Sequence, residues 1–169
     1  SIKERAKYIA YLPQNREIPS ISGRLMIEHG RFPYLGFGKV LNDNDNMIIK
    51  EAINKTHVEN LLNKKLTEMS GGELQKIYIT STIAQNSNFI LLDEPTNHLD
   101  LSSQIELLEL IRNLKNDEKS FIIVQHNIVQ AFTYSDYIIV LDEGKIILQG
   151  KPDEIYNSNI IKEILPIYN

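Results

Sequence analysis

Short apolar runs of strand length are spaced along the chain, with amphipathic stretches between them. Tyr8-Ile9-Ala10-Tyr11-Leu12 is the first run and stops at Pro13, which cannot donate to a ladder. Phe89-Ile90-Leu91-Leu92 and Phe121-Ile122-Ile123-Val124 are two more. Each is apolar at every position, the pattern of a strand buried on both faces of a parallel sheet covered by helices. Between these two runs Ile105, Leu108 and Ile111 recur at threes, with Leu107, Leu110 and Leu114 beside them, which predicts a helix. A strand–helix–strand order implies a right-handed crossover and an α/β fold. Further on, Tyr137-Ile138-Ile139-Val140-Leu141 and Lys145-Ile146-Ile147-Leu148-Gln149 flank Asp142-Glu143-Gly144 and predict a hairpin. Residues 153–164 read as a helix.

Residues 22–85 have a different character. They show no strand pattern, and residues 24–29, 46–56 and 72–85 read as helices. A link rich in glycine and aromatic residues, Gly30-Arg31-Phe32-Pro33-Tyr34-Leu35-Gly36-Phe37-Gly38, separates the first two. The expected organisation is a mainly parallel sheet covered by helices, formed by residues 1–21 and 86–169, with a helical subdomain inserted at 22–85.

Composition narrows the function classes. A chain of 169 residues with 42% hydrophobic and 24% charged residues suits one soluble globular domain, with or without an inserted subdomain. The net charge of −4 and a longest basic cluster of only Lys64-Lys65 argue against nucleic acid as a partner. With no cysteine there is neither a disulfide framework nor a thiolate metal site. No apolar run approaches the roughly 18–20 residues that span a bilayer, so work at a membrane would go through a partner. Ser1-Ile2-Lys3-Glu4-Arg5-Ala6 has no initiator methionine and runs almost directly into the first strand, so it is expected to be a cut end.

Four groups of residues could carry chemistry. Phe89-Ile90-Leu91-Leu92-Asp93-Glu94-Pro95 delivers two carboxylates at the C-terminal end of a strand, where ligands bind in open α/β sheets. One carboxylate can hold Mg²⁺ and the next can deprotonate an attacking water. A solvated acidic turn is the alternative. Met69-Ser70-Gly71-Gly72-Glu73-Leu74-Gln75 opens an amphipathic helix, with Ser70 as N-cap and bare backbone N–H groups that suit an anion. An ordinary capped helix is the alternative here. His126 follows the third strand, and Gln14 follows the first. A polar loop residue is the simpler reading of either one alone. His29, His57 and His98 lack metal-ligand spacing, and no zinc site is expected.

Taken in order, Gln14, Ser70-Gly71-Gly72, Asp93-Glu94 and His126 resemble the Q-loop, signature motif, Walker B strand and switch histidine of ABC ATPases. Asn97-His98-Leu99-Asp100 resembles the D-loop. The resemblance implies a P-loop NTPase (RecA-like) core and a head-to-tail dimer with a second ATPase subunit. It implies ATP and Mg²⁺ as cofactors. Ser70, Gly71 and Gly72, with Glu73 beside them, would face the γ-phosphate of ATP held by the partner. Asp93 would support Mg²⁺, Glu94 would be the catalytic base and His126 would touch the γ-phosphate. Gln14 would sense the metal and the γ-phosphate, and Asp100 would communicate across the dimer.

The run Gly30-Arg31-Phe32-Pro33-Tyr34 and the closing run Gly144-Lys145 to Glu154-Ile155 resemble the iron–siderophore, haem and cobalamin importer ATPases. That likeness implies transmembrane permease subunits as partners, a substrate-binding protein engaged indirectly, and a place on the cytoplasmic face of the membrane.

Met69, Glu73 and Asn127 depart from the commonest family residues, but the Ser-Gly-Gly site is kept. The larger departure is that G-x-x-x-x-G-K-[ST] occurs nowhere. Without that lysine and its backbone donors, Asp93 and Glu94 would repel a triphosphate. The 169 residues alone are therefore expected to be an inactive, incomplete core, with apolar surface uncovered and either oligomerisation or marginal stability in consequence. Two other readings stay open: a truncated, non-catalytic regulatory partner of a transporter, and a soluble non-transport ABC ATPase.

Overall fold

The computed structural model describes residues 2–36, 38, 40–115, 119–156 and 158. They fold as two compact units, Ser1–Gln125 and His126–Asn169. In the first unit, helix α1 (Ile2–Tyr8) leads into strand β1 (Ile9–Leu12). Helices α2 (Gly23–His29), α3 (Asp43–Thr56) and α4 (Gly71–Ala84) follow, then β2 (Phe89–Asp93), α5 (Leu101–Leu114) and β3 (Ser120–Val124). β1, β2 and β3 form a parallel sheet in that order. The second unit contains α6 (Ile128–Tyr134), strands β4 (Ile138–Asp142) and β5 (Lys145–Gly150), and α7 (Pro152–Tyr156). Its antiparallel hairpin closes on Glu143-Gly144, both at positive φ (45° and 76°), the backbone that matches strand twist in a two-residue turn.

Register assigns the apolar residues to faces. Ala10 pairs with Ile90 and Ile90 with Phe121, while Leu12 pairs with Leu92 and Leu92 with Ile123. This face packs into a core with Ile77, Leu107, Ile111 and Leu114. The opposite face carries Ile9, Tyr11, Phe89, Ile122 and Val124, which are 45–56% exposed. The expectation of strands buried on both faces is thus corrected: among the described residues only one face is covered. An all-apolar run shows that either face could be buried, not that both are.

Other differences are local. Residues 2–8 form α1 where only a lead-in to the strand was expected, so β1 starts at Ile9. Lys7 pairs with Glu4 one turn back at 2.8 Å, which supports the helix. α3 starts at Asp43, three residues earlier than the apolar pattern suggests. Its start is set by polar chemistry: Asp45 N–H donates to Asn42 Oδ1 at 2.9 Å, and Asn42 N–H donates to Asp45 Oδ2 at 3.1 Å. On α5 the buried stripe is Leu107, Leu108, Ile111 and Leu114, and Ile105 faces out. The described part of the last helix is Pro152–Tyr156; beyond it Ser158 N–H donates to the Ile155 carbonyl at 3.0 Å, and the other residues of the expected 153–164 helix lie outside the described residues.

The helices after β1 pack through α4. A Cβ on Gly30, just past α2, would lie 2.2 Å from the Ser81 carbonyl oxygen of α4, so only glycine allows this approach. Arg31, next in sequence, is buried with Asp45 at 2.9 Å and donates to the Ala84 carbonyl at 3.0 Å. A buried pair so fully hydrogen-bonded fixes where the end of α4 meets the start of α3.

Candidate active site

The parallel sheet sends the C-terminal ends of β1 and β2 to the same edge. There Gln14 Nε2 donates to Glu94 Oε2 at 2.6 Å, and Asn97 Nδ2 donates to the same oxygen at 3.0 Å. Beside them Tyr11 Oη donates to Asp93 Oδ2 at 3.2 Å. Desolvation, then the hydrogen bond to Asp93, push the Tyr11 hydroxyl above its ordinary range, so it remains a donor at neutral pH. The structure thus brings together Gln14, Asp93 and Glu94, which the sequence singles out, adds Tyr11, which it does not, and gives Asn97, noted in the sequence only as the first residue of the D-loop-like run, a contact with Glu94. A hydroxyl inside the first strand and an amide one turn past Glu94 were signals available to find them.

Glu94 has left-handed backbone, φ +46°. For a residue other than glycine this costs on the order of 1–3 kcal/mol. The turn is retained by Glu94 N–H donating to the Val124 carbonyl at 2.9 Å and Asn97 N–H donating to the Glu94 carbonyl at 3.1 Å. The outcome is a carboxylate in a sharp turn at the strand end, held by two side-chain amides. A carboxylate placed in this way can accept a proton from a water beside it.

The second cluster lies at the start of α4. Ser70 caps the helix: its Oγ accepts from Glu73 N–H at 3.3 Å, and its own N–H donates to Glu73 Oε2 at 2.8 Å. Lys64 Nζ lies 2.7 Å from the same oxygen. Lys64 first, then the Ser70 N–H, hold the Glu73 carboxyl below its ordinary range. Glu73 is therefore engaged in the cap itself. Gly71 and Gly72 face the start of α5: a Cβ on Gly71 would lie 3.5 Å from Leu99, and one on Gly72 would lie 3.0 Å from Ser103 Oγ. A polar cleft of about 240 Å³ opens here, lined by Ser70, Gly72, Lys76, His57, Ser103 and Glu106 among others.

Asp100 connects the clusters through the turn that begins at Glu94. It caps α5, with Ser103 Oγ donating to Oδ2 at 2.7 Å and Ser103 N–H donating to Oδ1 at 3.0 Å. These two bonds, the hydroxyl's first, hold its carboxyl below the ordinary range. His126 is exposed and opens the second unit, immediately before Asn127, which caps α6 through Gln130 N–H at 3.1 Å. Among the described residues no group of three or more His, Asp or Glu side chains could hold a metal unaided, and no helix is long and apolar enough to cross a membrane.

Residues 1–97 match the model of the ABC transporter family. The chain belongs to that family. It is 36% identical over 170 residues to the iron(3+)-hydroxamate import ATP-binding protein FhuC of Bacillus subtilis, an alignment covering 99% of this chain and 63% of FhuC. It is likewise 36% identical over 165 residues to the ferric enterobactin transport ATP-binding protein FepC of Escherichia coli, covering 96% of this chain and 60% of FepC. The chain therefore spans about three fifths of the length of these curated relatives. Among solved structures, MJ1267, an ATP-binding cassette of an ABC transporter, superposes with a TM-score of 0.81 at 19% identity, covering 99% of this chain and 70% of that one. The fold is that of an ABC ATP-binding cassette, a P-loop NTPase fold, as the parallel sheet and its crossover helices imply.

Proposed function

We propose that this chain is part of the ATP-hydrolysing subunit of an importer that takes up an iron–siderophore complex. The observation that carries the hydrolytic reading is Gln14 on Glu94 at 2.6 Å, next to Asp93 at the sheet edge. The substrate class is supported by relatives named for iron(3+)-hydroxamate import and ferric enterobactin transport.

ATP and Mg²⁺ are the implied cofactors, and the residues at the sheet edge suit the metal. A site with one or two carboxylates and no larger ligand cluster among the described residues fits Mg²⁺, which keeps its waters and binds mainly through nucleotide phosphates. Asp93 and Gln14 are the residues that would hold it. When bound, it neutralises charge on the phosphates. Glu94 takes the proton of the attacking water, and Gln14 and Asn97 keep its carboxylate aimed. The start of α4 at Ser70, Gly71 and Gly72, with Glu73 fixing the cap, offers N–H groups to the γ-phosphate of ATP held by a second ATPase subunit. His126 would contact the γ-phosphate of the ATP held by its own subunit, and Asp100 would sit where the two subunits communicate.

The helices of residues 22–85 form the subdomain that presents this signature cap. The strong grip on the triphosphate is assigned to sequence outside these 169 residues, which contain no G-x-x-x-x-G-K-[ST]. The complete subunit docks on permease subunits at the cytoplasmic face of the membrane and meets the substrate-binding protein only through them. Deleting the complete gene in a host with no redundant importer is expected to abolish uptake of iron-loaded siderophore. Normal uptake would overturn the substrate class.

A further inference from the structure

Arg16 lies two residues beyond Gln14 and reaches away from the sheet edge to α4. Its Nη1 donates back to the Pro13 carbonyl at 2.7 Å, and its Nη2 donates to Gln75 Oε1. The guanidinium stacks over the Tyr78 ring, 4.1 Å from the centroid. Tyr78 Oη donates in turn to the Glu17 carbonyl at 3.4 Å. Gln75 and Tyr78 are buried residues of α4, 7% and 4% exposed. Residues 13–17 are thus tied to α4 at both ends of the loop: Arg16, with its planar fork, bridges the Pro13 carbonyl, the Gln75 amide oxygen and the Tyr78 ring, and Tyr78 holds the Glu17 carbonyl.

Gln14 itself is exposed, and its amide is aimed across to Glu94 from the middle of this loop. A side chain with several free rotamers holds a 2.6 Å contact only if the backbone beneath it is fixed. On its N-terminal side the loop continues directly from the end of β1 at Leu12. α4 is also the helix whose first turn is Ser70-Gly71-Gly72.

We infer that Arg16 is a positioning residue. It clamps the 13–17 loop onto α4 and so sets Gln14 against Glu94, joining the helix that opens at the Ser-Gly-Gly cap to the carboxylate at the strand end. The inference rests on the reading of Glu94 and Gln14 given above. It names Arg16, Gln75 and Tyr78 as a unit in which Arg16 acts only through Gln14.

The test is a mutant cycle on ATP turnover by the complete subunit. Arg16→Ala is expected to lower kcat on the order of tenfold with little change in KM, because the contact displaced belongs to the water-activating carboxylate. Arg16→Ala combined with Gln14→Ala is expected to be no slower than Gln14→Ala alone, since both remove the same contact. Gln75→Leu releases the clamp from the helix side and serves where Arg16→Ala does not fold. It should reproduce the kcat loss and likewise add nothing to Gln14→Ala. A double variant slower by the product of the two single effects, or an unchanged kcat in Arg16→Ala and Gln75→Leu, overturns the inference while leaving Gln14's role intact. An unchanged kcat in Gln14→Ala overturns it together with the reading beneath it.

Discussion

Gln14 and Glu94 are 80 positions apart in the chain, yet the amide of one donates to the carboxylate of the other at 2.6 Å. The parallel pairing of β1 with β2 makes this contact, because it brings both strand ends to one edge. Asn97 completes the cradle from the same turn as Glu94, at 3.0 Å. Asn97→Asp would replace that donor with a like charge. We expect kcat for ATP hydrolysis by the complete subunit to fall on the order of tenfold, and the acid limb of its rate–pH profile to move to higher pH. A profile superimposable on that of the unsubstituted protein would separate Asn97 from the function of Glu94.

The two glycines of the cap and the glycine after α2 should respond differently to alanine. Gly30→Ala drives a Cβ to 2.2 Å from a backbone oxygen of α4. It should destabilise the protein by several kcal/mol, as overpacking against backbone does. Gly71→Ala meets nothing closer than 3.5 Å and lies at the start of a helix, so its stability should hold or rise slightly. Its effect should appear instead in ATP turnover, by crowding the N–H groups of the cap. Urea unfolding and turnover measured on both variants distinguish the cases. Gly71→Ala with full turnover would contradict an anion site at this cap.

Glu73 gives a pH signature. Lys64 and the Ser70 N–H hold its carboxyl below the ordinary value of 4.5. A carboxyl depressed in the folded state adds stability above its unfolded value, and that stability is lost as pH falls through the folded value. Glu73→Gln keeps a side-chain acceptor for the Ser70 N–H but removes the charge facing Lys64. The variant should therefore be less stable than the parent at neutral pH and converge with it as pH falls below about 4. Both unfolding midpoints followed from pH 7 to pH 3 check this, and a gap that does not narrow would contradict the assignment.

Much of this was legible in the sequence, and what was not has particular causes. The strands of the sheet, the α5 crossover and the hairpin follow from apolar runs and turn residues. Ser70 as N-cap follows from its place before Gly-Gly and an apolar stripe. Whether Phe89 and Ile122 are buried did not follow, because an all-apolar strand does not say which faces are covered. The start of α3 escaped because Asn42 and Asp45 fix it by capping, three residues before the start at Asn46 that the apolar pattern suggests. Tyr11 and Arg16 escaped because their partners are brought to them by the fold, 82 positions away for Tyr11 and 59 for Arg16. Side-chain identity near a strand end marks a place for chemistry, but only register says which groups meet there.

The central claim is that Glu94, held by Gln14 and Asn97, is the group that takes the proton from water during ATP hydrolysis. The most direct measurement is steady-state ATP turnover by the complete subunit carrying Glu94→Gln, which keeps the shape and hydrogen bonding of the side chain but cannot act as a base. The account predicts a loss in kcat on the order of a hundred- to ten-thousandfold with ATP binding retained. A kcat close to that of the unsubstituted subunit would contradict it.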